Sequence, residues 1–209
     1  VKAAWYLLLR LWLELFSAPG AAADLLAILG AAAVLWGSWQ AYRAERLKLL
    51  AAYSTVAQLG YLCLALALLV ELAPGATRDL LLGGLVVFAL GHGLAKAGLF
   101  LAAGVVQQRA GHDRIADFAG VAHHLPATTF AIGLAGVALI GLPPSGAFLG
   151  KWEILSAAIA LKAWWLVGVI AVGSLLAAAY IFRLLNHAFA DPASPRQAVV
   201  IAWEEWPAL

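Results

Sequence analysis

The chain has 209 residues, of which 65% are hydrophobic and only 11% carry a charge. A soluble domain has about 45–50% apolar and about 25% charged residues, so this composition indicates a membrane protein with several spans. The formal net charge of +2 is too small to predict a nucleic-acid partner, and a single cysteine excludes an intrachain disulfide or a cysteine-rich metal site.

About 20 apolar residues cross the hydrocarbon core as a helix, and this length predicts about six transmembrane segments. They are 1–16, 24–42, 47–70, 80–108, 125–160 and 163–190. The sequence starts with valine and contains no methionine, so we expect the first segment to be the end of a span that begins upstream. Residues 191–209 mix prolines, tryptophans and acidic residues, and they are predicted as either a tail or the start of a further span.

The orientation follows from the charges of the loops. The loops after the second, fourth and sixth segments carry Arg43, Arg46, Arg109, Arg114 and Arg196, whereas the opposite loops carry Arg78 and Lys162. The positive-inside rule therefore predicts that the first group of loops faces the cytoplasm.

A double proline interrupts the fifth segment. Pro143 and Pro144 lack backbone donors and are followed by Gly146, so no continuous helix is expected here. In lipid, freed backbone groups are tolerated only where protein or a water-filled cavity satisfies them. Because Lys151 follows within a few residues, the sequence predicts a polar site inside the membrane.

Two charged groups lie deep in predicted spans. Lys96 is near the middle of the fourth segment, and His92 lies four residues earlier on the same helical face. A lysine at mid-bilayer costs on the order of 2.5–3.5 kcal/mol, so it is normally paired, hydrated or functional. The alternatives are a lysine satisfied by a neighbouring carbonyl and a lysine that exchanges a proton with His92.

Three further charges leave the same choice open. Lys151 and Glu153 are either an interfacial half-helix end or a functional pair, with Glu153 as the local partner of the lysine. Lys48 follows two arginines at a helix start, where an interfacial and a functional role are equally expected. No metal site is predicted.

Three stretches, 45–61, 92–104 and 141–151, resemble in order and spacing the proton-conducting antiporter-like membrane subunits. That family includes large membrane-arm subunits of respiratory complex I and subunits of Mrp antiporters, membrane-bound hydrogenases and a bicarbonate-uptake complex. The resemblance implies an all-α fold with two inverted five-helix units, each with one broken helix. It assigns residues 17–190 to the second unit and residues 1–16 to the helix that closes the first.

The resemblance also implies roles for individual residues. Lys96 matches the lysine of the central channel, and His92 matches the histidine that precedes it. Lys2 matches the lysine of the closing helix, Lys48 the positively charged start of the motif that follows that helix, and Lys151 the residue beside the broken helix. Together with Glu153, these are the predicted proton-transfer residues.

The function implied is proton translocation without a cofactor, driven by a reaction in partner membrane subunits, with a complex I-like redox pump favoured. The expected location is the bilayer of a bacterial inner membrane. The alternatives are sodium/proton antiport, bicarbonate uptake, and a non-conducting structural subunit. No serine-nucleophile or His-Glu-x-x-His motif is visible, so no redox or hydrolytic site of its own is predicted, and an enzyme activity would belong to the translocase complex.

Overall fold

The computed structural model describes residues 2–15 and 20–191, and within these residues the fold is all-α, as predicted. The helices and one short 3₁₀ turn are α1 (Lys2–Leu15), α2 (Ala21–Arg43), α3 (Leu47–Glu71), α4 (Ala76–Ala110), the 3₁₀ turn (Ile115–Asp117), α5 (Val121–His124), α6 (Pro126–Ile140), α7 (Gly146–Ala160) and α8 (Trp164–Phe189).

Four of the described helices, α2, α3, α4 and α8, are long and apolar enough to cross a membrane. Helices α6 and α7 have 15 residues each. At a rise of 1.5 Å per residue each is about 22 Å long, shorter than a hydrocarbon core of about 30 Å. Helices α6 and α7 are therefore the two halves of one interrupted span, and the predicted break at Pro143 and Pro144 is confirmed.

The structure adds detail at three places. Helix α4 has 35 residues, so it is about 50 Å long and extends well beyond a bilayer core. The polar connection at 109–124 is not a plain loop, because it contains the 3₁₀ turn and the short helix α5. The predicted tail lies outside the described residues apart from Asp191, and so do residues 16–19.

The buried apolar side chains form two clusters, one in each half of the bundle. One cluster combines the first turns of α3 with the second half of α4, with α6 and with the second half of α8. The other combines the second half of α3 with the first half of α4, with α7 and with the first turns of α8. Between them lie the α6–α7 break and the middle turns of α3, α4 and α8, which carry buried polar side chains.

The loops that the charge pattern assigns to one side do lie together. The backbone amide of Leu47 donates to the carbonyl of Asp113, and that of Ile115 donates to Glu45, which joins the α2–α3 turn to the α4–α5 loop. Arg183 near the end of α8 donates to the carbonyls of Tyr42 and Ala44 after α2. The ends of α2, α4 and α8 therefore share one side of the bundle.

One ion pair joins the α2–α3 turn to the loop after α4. Arg46 Nε donates to Asp113 Oδ1 at 2.7 Å, and the Asp113 side chain is only 4% exposed. We expect Arg46→Met to lower the free energy of unfolding by about 1–3 kcal/mol, because a buried carboxylate loses its partner. Thermal unfolding in detergent measures this. The matched control is Arg10→Met, which removes an exposed pair with Glu14 and should have almost no effect. Equal effects of the two variants would contradict the prediction.

Candidate functional site

The double proline determines which backbone oxygens are free at the end of α6. In a continued helix, the carbonyls of Leu139 and Ile140 would accept from residues 143 and 144. Both of those residues are prolines and have no N–H, so these two carbonyls need other donors. The C-terminal end of a helix also carries a partial negative charge that attracts cations.

A glycine turn and a serine cap complete the break. Gly141 has φ 83°, a left-handed conformation that favours glycine, and a Cβ here would lie 2.6 Å from Cδ of Lys151. Ser145 caps α7 by accepting from the amide of Phe148 at 3.2 Å. Gly141 therefore both ends α6 and leaves room for the aliphatic stem of Lys151.

Lys151 supplies the missing donor. Its side chain is 5% exposed, and Nζ lies 2.9 Å from the carbonyl oxygen of Ile140 and 3.4 Å from that of Leu139. Nζ is also 3.4 Å from Ser174 Oγ on α8 and 4.3 Å from the centroid of the Tyr61 ring on α3. The ammonium is thus held by neutral oxygens and by the negative face of an aromatic ring.

Lys96 is held in a similar way by two residues of α3. Its residue is 8% exposed, and Nζ donates to the carbonyl of Ala51 at 2.7 Å and to Ser54 Oγ at 2.5 Å. The Ser54 hydroxyl in turn donates to the carbonyl of Leu50 at 2.7 Å, so its lone pair is directed at the lysine.

Gln58 lies between these two lysine sites. It is 1% exposed, and its Nε2 donates at 2.8 Å to the same Leu139 carbonyl that receives Lys151. It is four residues after Ser54 and therefore on the same face of α3. The hydroxyl of the fully buried Tyr180 on α8 lies near the side chains of Gln58 and Ser54 and forms no hydrogen bond to either one.

His92 lies one helical turn before Lys96 on α4, as its spacing predicts. It is 2% exposed and packs edge-on against Phe88, with ring centroids 6.4 Å apart. Phe88 in turn packs against Tyr61 at 6.2 Å, and Tyr61 covers Lys151. His92 is thus at one end of a series of aromatic contacts that reaches Lys151.

The other predicted residues lie apart from this centre. Lys48 is exposed at the start of α3 and donates to Gln107 Oε1. Glu153 packs against Gly84 on α4, where a glycine Cβ would meet its side chain at 2.8 Å. Glu153 and Lys151 form no ion pair among the described residues, because positions two apart on a helix face different directions. Lys2 is the first residue of α1, and its side chain is outside the described part.

Sequence reasoning did not single out the groups that hold the two lysines. Ser54 and Gln58 lie in the stretch 45–61 that carries the family resemblance, but no role was predicted for either residue. Ser174 and Tyr180 are isolated polar residues in α8 and gave no spacing signal. A buried cation needs hydrogen-bond acceptors, so a search of every polar side chain within the predicted spans would have found these four residues.

These features define a polytopic helical membrane protein with buried lysines at a broken span, an arrangement typical of ion pathways. The chain belongs to the NADH:quinone oxidoreductase/Mrp antiporter transmembrane family, whose family model matches residues 1–177.

Relatives support this membership. NADH-quinone oxidoreductase subunit N of Desulforudis audaxviator is 38% identical over 191 residues, which are 90% of this chain and 36% of that protein. A hydrogenase-4 component F homolog of Methylacidiphilum infernorum is 31% identical over 92% of this chain and 39% of its own length. The chain therefore spans about two-fifths or less of these relatives.

Solved structures share the fold. A chain of respiratory complex I from Thermus thermophilus matches with a TM-score of 0.76 and 25% identity, over 88% of this chain and 38% of that one. A chain of the Mrp complex from Dietzia sp. matches with a TM-score of 0.82 and 24% identity, over 94% and 35%. The all-α membrane fold is thus found in subunits of two kinds of membrane complex.

Proposed function

We propose that this chain conducts protons across a bacterial inner membrane as one subunit of a multisubunit complex, with Lys96 and Lys151 as the groups that change protonation. The observation that carries the proposal is the enclosure of both ammonium groups between two apolar clusters, within a layer of polar side chains. A charge in this position is costly, so its presence favours a functional role.

The contacts of Lys151 suit a group that gains and loses a proton. They are two carbonyl oxygens, a hydroxyl and an aromatic ring, all of them neutral. Such acceptors bind the N–H of an amine as well as that of an ammonium, so deprotonation leaves no unpaired carboxylate in the membrane. A site built for permanent charge would more usually contain an acidic partner.

One face of α3 connects a membrane surface with this layer. Lys48, Ala51, Ser54 and Gln58 follow each other at intervals of three or four residues, so they lie along one side of the helix. At 1.5 Å per residue this face extends about 15 Å, roughly half of a hydrocarbon core. It supports a proton path from Lys48 through Lys96 towards Lys151.

The names of the relatives support a redox-driven complex as the setting. The most informative is the 38% identity to a subunit of an NADH-quinone oxidoreductase. In such a complex the driving reaction takes place in partner subunits, and this chain would respond to charges that move nearby. A change of about 1.4 kcal/mol in electrostatic energy alters the proton affinity of a group tenfold.

The direct test is Lys151→Met in the intact complex, purified and reconstituted in liposomes. We expect proton movement per turnover of the driving reaction to fall to background, because methionine fills the site without a titratable group. Proton uptake is followed with a pH-sensitive dye. The control is Lys162→Met in the exposed turn between α7 and α8, which should pump normally.

Three outcomes would redirect the proposal. Normal pumping by the Lys151 variant would favour a non-conducting structural subunit. Copurification with Mrp-type subunits, together with sodium-dependent proton release, would favour an antiporter. A zinc-containing soluble partner would favour bicarbonate uptake.

A further inference from the structure

We propose that Gln58 is a positioning residue that couples the proton occupancy of Lys96 to that of Lys151, by turning its side-chain amide between two hydrogen-bonded orientations. This inference rests on the proposed function, because it assumes that both lysines change protonation. It concerns a residue of the stretch 45–61 to which the sequence analysis assigned no role.

The position of the amide provides the first argument. Gln58 Nε2 and Lys151 Nζ both donate to the Leu139 carbonyl, at 2.8 and 3.4 Å. The Leu139 carbonyl has two lone pairs and no helical donor, so it can bind both groups at once. A proton that arrives at or leaves Lys151 therefore changes the environment of the Gln58 amide directly.

The opposite end of the amide reaches the other lysine. Gln58 Oε1 and Tyr180 Oη are buried and have no hydrogen-bond partner among the described residues. The Tyr180 hydroxyl lies near the side chains of Gln58 and Ser54, which is one helical turn before Gln58 on the same face of α3, and Ser54 accepts from Lys96 at 2.5 Å. A short series of polar groups thus leads from the amide to the ammonium of Lys96.

These contacts allow two arrangements of the amide. In the one observed, the donor end of Gln58 faces Leu139 and its oxygen faces away. After a half-turn, Oε1 would accept from the Lys151 ammonium, and Nε2 would donate towards Tyr180. The terminal torsion of glutamine is broad and roughly two-fold, so this turn requires no movement of the helix. Each orientation favours a proton on a different lysine, because the amide dipole reverses.

The test uses the intact complex in liposomes, with proton movement per turnover as the readout. We expect Gln58→Leu, which keeps the volume but removes both polar ends, to lower proton movement about tenfold or more, equivalent to about 1.4 kcal/mol. Gln58→His restores a donor and an acceptor and should recover much of the loss. The matched control, Gln108→Leu at the exposed end of α4, should pump normally.

A double-mutant cycle separates coupling from simple packing. Tyr180→Phe should also lower proton movement. The double variant Gln58→Leu/Tyr180→Phe should be no worse than the more defective single variant, because the two substitutions interrupt the same connection between the lysines. Normal pumping by Gln58→Leu, failure of histidine to rescue it, or additive losses in the double variant would each overturn the inference. If Lys96→Ala pumps normally, the proposed function is wrong. If Lys96→Ala loses pumping but Gln58→Leu pumps normally, the proposed function holds and only the coupling through Gln58 is wrong.

Discussion

Replacement of Lys96 by alanine is expected to abolish coupled proton movement while the complex remains assembled. The side chain is enclosed between α3 and α4, and its ammonium contacts Ala51 and Ser54. Removing the ammonium costs two hydrogen bonds from a charged donor, each worth about 1.5 kcal/mol or more, but it also relieves the burial of a charge, worth on the order of 2.5–3.5 kcal/mol. The two effects nearly cancel, so stability should change little although function is lost.

A loss of pumping without a loss of stability makes the Lys96 prediction specific. We would compare Lys96→Ala with Lys162→Ala, an exposed lysine, and measure proton movement in liposomes together with the thermal unfolding midpoint in detergent. Both variants should have unfolding midpoints close to that of the unmodified complex, and only Lys96→Ala should lose pumping. Retention of pumping would mean that Lys96 is a structural lysine satisfied by its carbonyl partner.

Replacement of Gly60 by alanine is expected to destabilise the protein clearly. A Cβ at Gly60 would lie 2.6 Å from the carbonyl oxygen of Gly30 and 2.7 Å from the backbone nitrogen of Val34. Both are backbone atoms of α2, so the neighbouring helix must move as a whole. Overpacking of this kind costs about 1–3 kcal/mol and sometimes more, and here it would also displace the face of α3 that holds the lysines.

The control for Gly60 is another glycine inside a helix. Gly133 in α6 has no heavy atom within 4 Å of its Cβ position, so Gly133→Ala should stabilise the protein by about 0.5–1 kcal/mol through the lower flexibility of alanine. The two unfolding midpoints should therefore shift in opposite directions. A Gly60→Ala variant as stable as the parent would show that α2 and α3 are not closely packed at this point.

The spans could be predicted closely from the sequence. The third segment was predicted at 47–70, and α3 covers Leu47–Glu71; the second was predicted at 24–42, and α2 covers Ala21–Arg43. Length and hydropathy are sufficient here because a helix must satisfy its own backbone in lipid. The interruption at Pro143 and Pro144 was equally predictable, because a missing donor is a local property.

The partners of the charged residues could not be predicted in the same way. Glu153 was expected beside Lys151 because it is close in sequence, but it lies against Gly84 on a different helix. The acceptors of Lys151 come from α3, α6 and α8, and those of Lys96 come from α3. Hydropathy identifies a buried charge but contains no information about which distant helix supplies its partner.

The sequence by itself determined that this is a polytopic membrane protein, where its spans lie, and that one span is broken beside a lysine. These properties depend on composition, on apolar length and on two missing N–H groups, all of which are local. Only the tertiary structure decided that the carbonyls freed by the prolines bind Lys151, and that Gln58 shares the Leu139 carbonyl with this lysine. The reason is that hydrogen-bond partners between helices depend on how the helices pack, and residues as far apart as Gln58 and Leu139 meet only in the folded bundle.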